Sequence, residues 1–257
     1  MVPVKPYPPY PDGLLLLVEV GSTAHGTGLP GGEDHDETAV VVETPLQVLG
    51  LGPALRNHMQ RTQPEGQRSG PGDTDRQVYS LRSFLAMAAG GNPSILLTLW
   101  APVIEATEVG RHLLDLRDAF VGRHVLPRYR GYMQSQVMRM QGLKGSGHGR
   151  RGGGKCDELI AAHGYDTKFA MHAARLGYQG RELVTTGGLS LPVGGEAGDW
   201  LRAVRRGEVP YDEWLARVGE LDGELARLSD DERFRVGPDR GRIEAFSVDA
   251  HRRAWNW

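Results

Sequence analysis

The sequence predicts an α/β (α+β) fold, a small sheet followed by a helical C-terminal region. Three observations carry that prediction. Short strand-like runs at Leu14–Val20 and Thr38–Val42 lie on either side of a glycine-rich loop. The stretch from Asp75 to Trp100 passes from a strand-like segment to two helical ones split by Gly90-Gly91. From Glu105 onward apolar residues recur at helical spacing, ending in Trp214, Val218, Leu221, Leu225 and Leu228.

In chain order, residues 1–13 (MVPVKPYPPYPDG) are proline-rich and read as an extended arm. Residues 14–20 are short, apolar and followed by glycine, as a buried strand would be. Residues 38–43 and 46–51 read as two further strands, or as one strand interrupted at Pro45. Pro53–His58 reads as a short helical piece, and 62–74 (TQPEGQRSGPGDT) as a loop with no core residues. Asp75–Leu81 is the next strand and Ser80–Ala89 the next helix; Asn92 caps a helix over Pro93–Trp100, with proline at its first position. Glu105–Gln141 is helical. Asp157–His163 is a helix ended at Gly164, and Asp166 caps a helix over Thr167–Leu176. Phe246, Val248 and the tail HRRAWNW close the domain. The division expected is an arm over 1–13, a core over 14–118, and a helical region over 119–257 that includes a basic glycine-rich loop at 145–154.

Composition narrows the class. A chain of 257 residues, 39% hydrophobic and 24% charged, is a soluble globular protein of one large domain or two small ones. The formal net charge of −2 names no partner. The single cysteine, Cys156, excludes an internal disulfide and gives the expectation of a reducing, cytoplasmic setting. Leu14–Val20 is too short to span a membrane and follows prolines rather than a basic segment. No membrane partner is expected.

The chemistry concentrates in Gly21 to Glu43, GSTAHGTGLPGGEDHDETAVVVE. Alternation along a strand puts residues i and i+2 on one face, so Asp34 and Asp36 point the same way. Two hard oxygen ligands can hold Mg2+ together with substrate phosphates. The Gly21-Ser22 turn can offer N–H groups and a hydroxyl to a phosphate. D-x-D beside glycines also occurs in solvated turns. The upstream G-S turn, the flanking strands and the twelve positions from Ser22 to Asp34 weigh for a phosphate and metal site. The pattern resembles the DNA polymerase beta nucleotidyltransferase superfamily. That superfamily places a third carboxylate on a later strand; Asp75 is the candidate here and Asp73 the fallback.

Charge is segregated further on. Between Asp118 and Asp157 there is no acid, while Arg123, Arg128, Arg130, Arg139, Lys144, Arg150, Arg151 and Lys155 fall in that interval. Such a run marks a local positive field suited to the phosphates of a nucleotide or of an RNA backbone. Arg139, Lys144, Arg150 and Arg151 are the candidate RNA contacts. Lys168, His172 and Arg175 fall at i, i+4 and i+7 and share one helix face. Phe169, Ala173 and Leu176 make the apolar face beside it. The cationic row suits a triphosphate and a leaving pyrophosphate.

Taken together, GSTAHG with EDHD, VYSLRSFLAMAAGGNPSILLTLW, RYRGYMQSQVMRM, GYDTKFAMHAARL and RAVRRGEVPYDEWL resemble the YcgL/RlaP type of nucleotidyltransferase, a polymerase-beta-like family associated with RNA repair. The resemblance implies a small mixed-sheet nucleotidyltransferase core followed by a helical region. It implies Mg2+- or Mn2+-dependent transfer of a nucleoside monophosphate from an NTP to an acceptor hydroxyl on RNA, by a two-metal scheme. By motif position Asp34 and Asp36 are metal-binding and, with Asp75, catalytic. Gly21, Ser22 and His25 are nucleotide-binding, and Lys168, His172 and Arg175 fall in the family's K-x-x-x-H-x-x-R segment. Thr98 departs from the pattern, standing where the L-x-L-W helix is expected to carry glutamate. Two alternatives keep the fold and change the role: nucleotidylation of a protein or small molecule, and nucleic-acid binding without catalysis.

Overall fold

The computed structural model describes residues 10–28, 35–63, 72–141 and 155–257. The chain divides into two units, Met1–Phe120 with Pro238–Trp257, and Val121–Gly237. In the first unit, strands Leu14–Val20 (β1), His35–Val41 (β2), His58–Arg61 (β3), Thr74–Ser80 (β4) and Val103–Ala106 (β5) form one sheet in the order β3-β4-β2-β1-β5. Leu15 to Val18 are buried on both faces, which suits a strand with neighbours on each side. β2 and β4 run parallel and the other pairs antiparallel, so the sheet is mixed, as expected. Leu17, Ala39, Val41 and Val78 form a buried apolar cluster on one face.

Five helices follow the strands: Gly21–His25 (α1), Pro45–Leu49 (α2), Leu81–Ala89 (α3), Pro93–Leu96 (α4) and Glu108–Asp115 (α5). Ser80 ends β4 and caps α3, its hydroxyl accepting from the Ser83 N–H at 3.3 Å. Asn92 caps α4 by accepting from the Ser94 N–H at 3.0 Å, and a 3-10 turn at Leu97–Leu99 continues it. Gly110 of α5 lies so close to the Leu15 carbonyl that a Cβ would collide with it, which brings α5 down on β1.

Three local expectations are corrected. Residues 46–51 do not form a strand. Thr44 and Gln47 make a reciprocal capping box and Pro45 occupies the first turn, so Pro45–Leu49 is helical. The apolar run misleads because Leu46, Leu49 and Leu51 are exposed. Pro53–His58 is not helical; the chain runs on into β3, which pairs with β4. Helical structure begins at Glu108, not Glu105, because Val103–Ala106 pairs with β1. With four residues, and with Val103 and Ile104 partly exposed, β5 leaves no alternation to read.

The second unit is helical: Val125–Met140 (α6), Lys155–His163 (α7), Thr167–Thr186 (α8), Gly195–Arg206 (α9) and Tyr211–Asp230 (α10). Asp166 caps α8, accepting from Lys168 N at 2.9 Å and Phe169 N at 3.1 Å. α8 runs ten residues beyond the expected Leu176 to Thr186. The missed part contains Gly177 and Gly180, poor helix formers in isolation. Packing overrides that preference: a Cβ on Gly177 would meet Leu221 at 3.0 Å, and one on Gly180 would meet Tyr129 at 2.9 Å. The two glycines let α10 and α6 approach α8. Trp214, Val218, Leu221 and Leu225 are buried, the stripe the spacing predicts, and Trp214 Nε1 donates to the Ala170 carbonyl at 3.1 Å.

The last helix, Arg240–Trp255 (α11), belongs to the first unit. Asp239 caps it. His251 is buried, with Nδ1 2.7 Å from the Ser247 carbonyl and Nε2 3.1 Å from Glu43 Oε2. A carbonyl and an ionised carboxylate only accept, so both ring nitrogens must carry hydrogens and the ring is an imidazolium. The Glu43 carboxylate accordingly raises the His251 pKa, against the opposing effect of burial. Burial would raise the Glu43 pKa, but the His251 hydrogen bond and the Ser80 and Arg82 donors leave it lowered. Trp255 Nε1 donates to the Glu43 carbonyl at 2.7 Å.

Candidate active site

β1 runs directly into α1 at Gly21, which has φ +76°. Val20 pairs with Asp36 across β1 and β2. A Cβ on Gly21 would strike the Asp36 carboxylate and sit 2.9 Å from Asp36 Cβ. Glycine is therefore required twice here, by the left-handed backbone and by the carboxylate against it. Ser22 follows, and the chain folds back on it: Thr27 N–H donates to the Ser22 carbonyl at 3.0 Å, and a Cβ on Gly28 would lie 3.5 Å from Ser22 Oγ. His25 is 1% exposed, packed at the end of α1.

The parallel register of β2 and β4 pairs Glu37 with Arg76 and Asp36 with Asp75. Glu37 Oε2 and Arg76 Nε meet at 2.7 Å in a fully buried ion pair, so register partners share a face. Asp36 and Asp75 share the opposite face by alternation, on strands about 4.8 Å apart. Asp75 accepts from Gln63 Nε2 at 2.9 Å, and Arg61 Nε lies 3.4 Å from the same oxygen. The fallback, Asp73, is 3% exposed and accepts from the Thr62 hydroxyl at 3.0 Å. Asp34 lies outside the described residues. Among the described residues no group of three or more His, Cys, Asp or Glu gathers closely enough to hold a metal ion. The pair present, Asp36 and Asp75, is all-oxygen and suits a hard cation such as Mg2+.

In the second unit the expected row is present on α8. Lys168 is exposed, and His172 and Arg175 are partly buried. Arg175 Nε is buried with no hydrogen-bond partner. Burial, then Arg175, Lys168 and Arg205, push the His172 pKa down to about 3, so the ring is neutral. Burial lowers Arg175 to about 10, with Tyr129 of α6 acting the other way. Of the expected RNA contacts, Arg139 is exposed on α6; Lys144, Arg150 and Arg151 lie outside the described residues. Arg130, part of the same basic run, is bound in bidentate fashion by Asp222 at 3.1 and 2.8 Å.

Local pattern did not find Arg61, Gln63 or Arg205. Arg205 stands in the segment RAVRRGEVPYDEWL, whose sequence alone does not say which of Arg202, Arg205 and Arg206 reaches α8. Arg205 Nη1 reaches Thr167 Oγ1 at 3.4 Å, while Arg202 pairs with Asp199 and Arg206 with Glu208.

No helix among the described residues is long and apolar enough to cross a membrane. No curated protein matches the chain. Among solved structures, a nucleotidyltransferase-like protein from Exiguobacterium sibiricum 255-15 aligns over 85% of this chain and 69% of its own, at 9% identity and a TM-score of 0.29. That likeness is too weak to argue from. The sequence match is decisive: residues 9–204 fit the family described as RlaP, the RNA repair pathway DNA polymerase beta family. This span holds the Gly21-Ser22 junction, Asp36, Asp75 and the α8 cation row, and the chain belongs to that family.

Proposed function

We propose that the protein is a metal-dependent nucleotidyltransferase that moves a nucleoside monophosphate from an NTP to a hydroxyl on RNA. The observation that carries this reading is Asp36 set against Gly21 and beside Asp75. Asp36 and Asp34 would hold Mg2+ or Mn2+, with Asp75 as the third carboxylate. The ion, when bound, neutralises phosphate charge and makes the acceptor hydroxyl easier to deprotonate. Gly21 and Ser22 hold a phosphate at the strand-to-helix junction, and His25 supports that turn from the interior. Lys168, His172 and Arg175 bind nucleotide phosphates. Arg139, Lys144, Arg150 and Arg151 serve RNA.

In the reaction the acceptor oxygen bonds to the α-phosphorus, the bond to the α–β bridging oxygen breaks, and pyrophosphate leaves. Asp75, oriented by Gln63 and Arg61, takes the hydroxyl proton. The test is incubation with each α-labelled NTP, with and without RNA, in Mg2+ and in Mn2+. Label on RNA is expected. Label on protein would replace the RNA acceptor by a protein one, and no transfer with any NTP would overturn the catalytic reading.

A further inference from the structure

We infer that Arg205 of α9 completes a phosphate-binding cradle with Lys168, His172 and Arg175 of α8, and that its occupant is the polyphosphate of a nucleotide. The choice of a nucleotide rests on the nucleotidyltransferase reading above; the cradle itself lies wholly within the second unit.

Arg130, Arg181 and Arg206 of this unit each hold a carboxylate oxygen at 3.3 Å or less. Lys168, Arg175 and Arg205 hold none within 4.0 Å among the described residues. Arg175 is where a partner would matter most, because its buried Nε has no acceptor. A buried guanidinium N–H left without an acceptor is costly, and an incoming anion removes that cost. Arg205 spends one N–H on Thr167 Oγ1 and keeps the other donors of its fork. The nearby carboxylate, Asp166, is engaged in capping α8 and acts on Arg205 only as a neighbouring charge.

The charges that act on His172 are cationic from both helices, Lys168 and Arg175 on α8 and Arg205 on α9, and the Arg205 bond to Thr167 ties that side chain to the start of α8. A neutral imidazole among them adds a donor without adding charge. The row passes from exposed Lys168 to partly buried Arg175. A terminal phosphate group can follow that path inward, whereas a continuous RNA backbone lies along a surface. A phosphate oxyanion beside His172 favours the protonated ring, so occupancy raises its pKa.

The test uses the intact chain labelled at histidine, with the His172 resonance assigned by His172→Gln. Inorganic pyrophosphate is titrated at several pH values. Saturable binding is expected, with the His172 pKa moving up by about one pH unit or more. Arg205→Gln should weaken binding by roughly tenfold or more, and Arg205→Lys should retain most of it. Arg206→Gln, one residue along and paired with Glu208, should leave it unchanged. Thermal unfolding checks that each variant is folded. If Arg205→Gln does not fold, the parent titration and Arg205→Lys decide the matter. An unmoved His172 in the parent overturns the inference, as does full-strength binding by folded Arg205→Gln. A 5′-phosphorylated oligonucleotide that displaces pyrophosphate where ATP does not would overturn the nucleotide assignment. The titration needs no transfer activity. A parent protein that transferred no label from any NTP would sink the catalytic reading and leave the cradle standing.

Discussion

Gly21 shows how one residue couples backbone to chemistry. Its left-handed φ of +76° starts α1, and the absent Cβ is what lets the Asp36 carboxylate lie against the junction. Gly21→Ala should destabilise the protein by roughly 1–2 kcal/mol from the backbone alone and displace Asp36. Urea unfolding and NMP transfer measure the two effects; unchanged stability with full activity would show that the junction tolerates a side chain. Thr98 makes the converse point. It was legible as a departure from the family pattern, but not as a buried hydroxyl without a partner. Thr98→Val removes an unsatisfied polar atom at similar shape and should stabilise by about 1 kcal/mol. A lowered denaturation midpoint would show that the hydroxyl has a stabilising partner.

Among the elements, those whose own residues carry the signal were legible: β1, β4, α3 with Ser80 and Asn92 marking the turns, and α10 with its apolar stripe. Those decided by partners were not. β5 exists because β1 offers an edge, and the second half of α8 exists because two glycines admit neighbouring helices. α11 is fastened through His251 and Glu43, and the fastening carries a pH signature. The His251 pKa is raised, so its contribution is complete below the unfolded value near 6.5 and fades as pH rises through the folded one. The Glu43 pKa is lowered, so its contribution is complete above the unfolded value near 4.5 and fades as pH falls through the folded one. His251→Gln should cost roughly 3 kcal/mol near pH 6, with the gap to the parent narrowing at alkaline pH. A gap that is constant from pH 6 to pH 9 would mean the ring is neutral in the folded protein.

At the scale of the molecule, the proposed chemistry depends on a juxtaposition that no local pattern reveals. Gly21-Ser22 and Asp36 lie within sixteen positions of one another in sequence, so a local reading can take them together. The pairing of Asp36 with Asp75 depends on two parallel strands in one register, with α2 and β3 between them in sequence. Burial of Glu37 with Arg76 on the other face holds that register, since a shift of one residue would expose the pair and turn Asp36 inward. Removal of divalent metal by a chelator should abolish transfer and leave the fold intact, because in the described residues the sheet is held by its own ion pair and apolar face. Loss of the folded signal on chelation would make the ion structural. The most direct test of Asp36 and Asp75 as the catalytic carboxylates is single-turnover transfer of labelled NMP by Asp36→Asn and by Asp75→Asn, each checked for an unchanged unfolding curve. Both folded variants should lose at least about a hundredfold in rate. Transfer at the parent rate by folded Asp36→Asn would mean that Asp36 holds no catalytic metal.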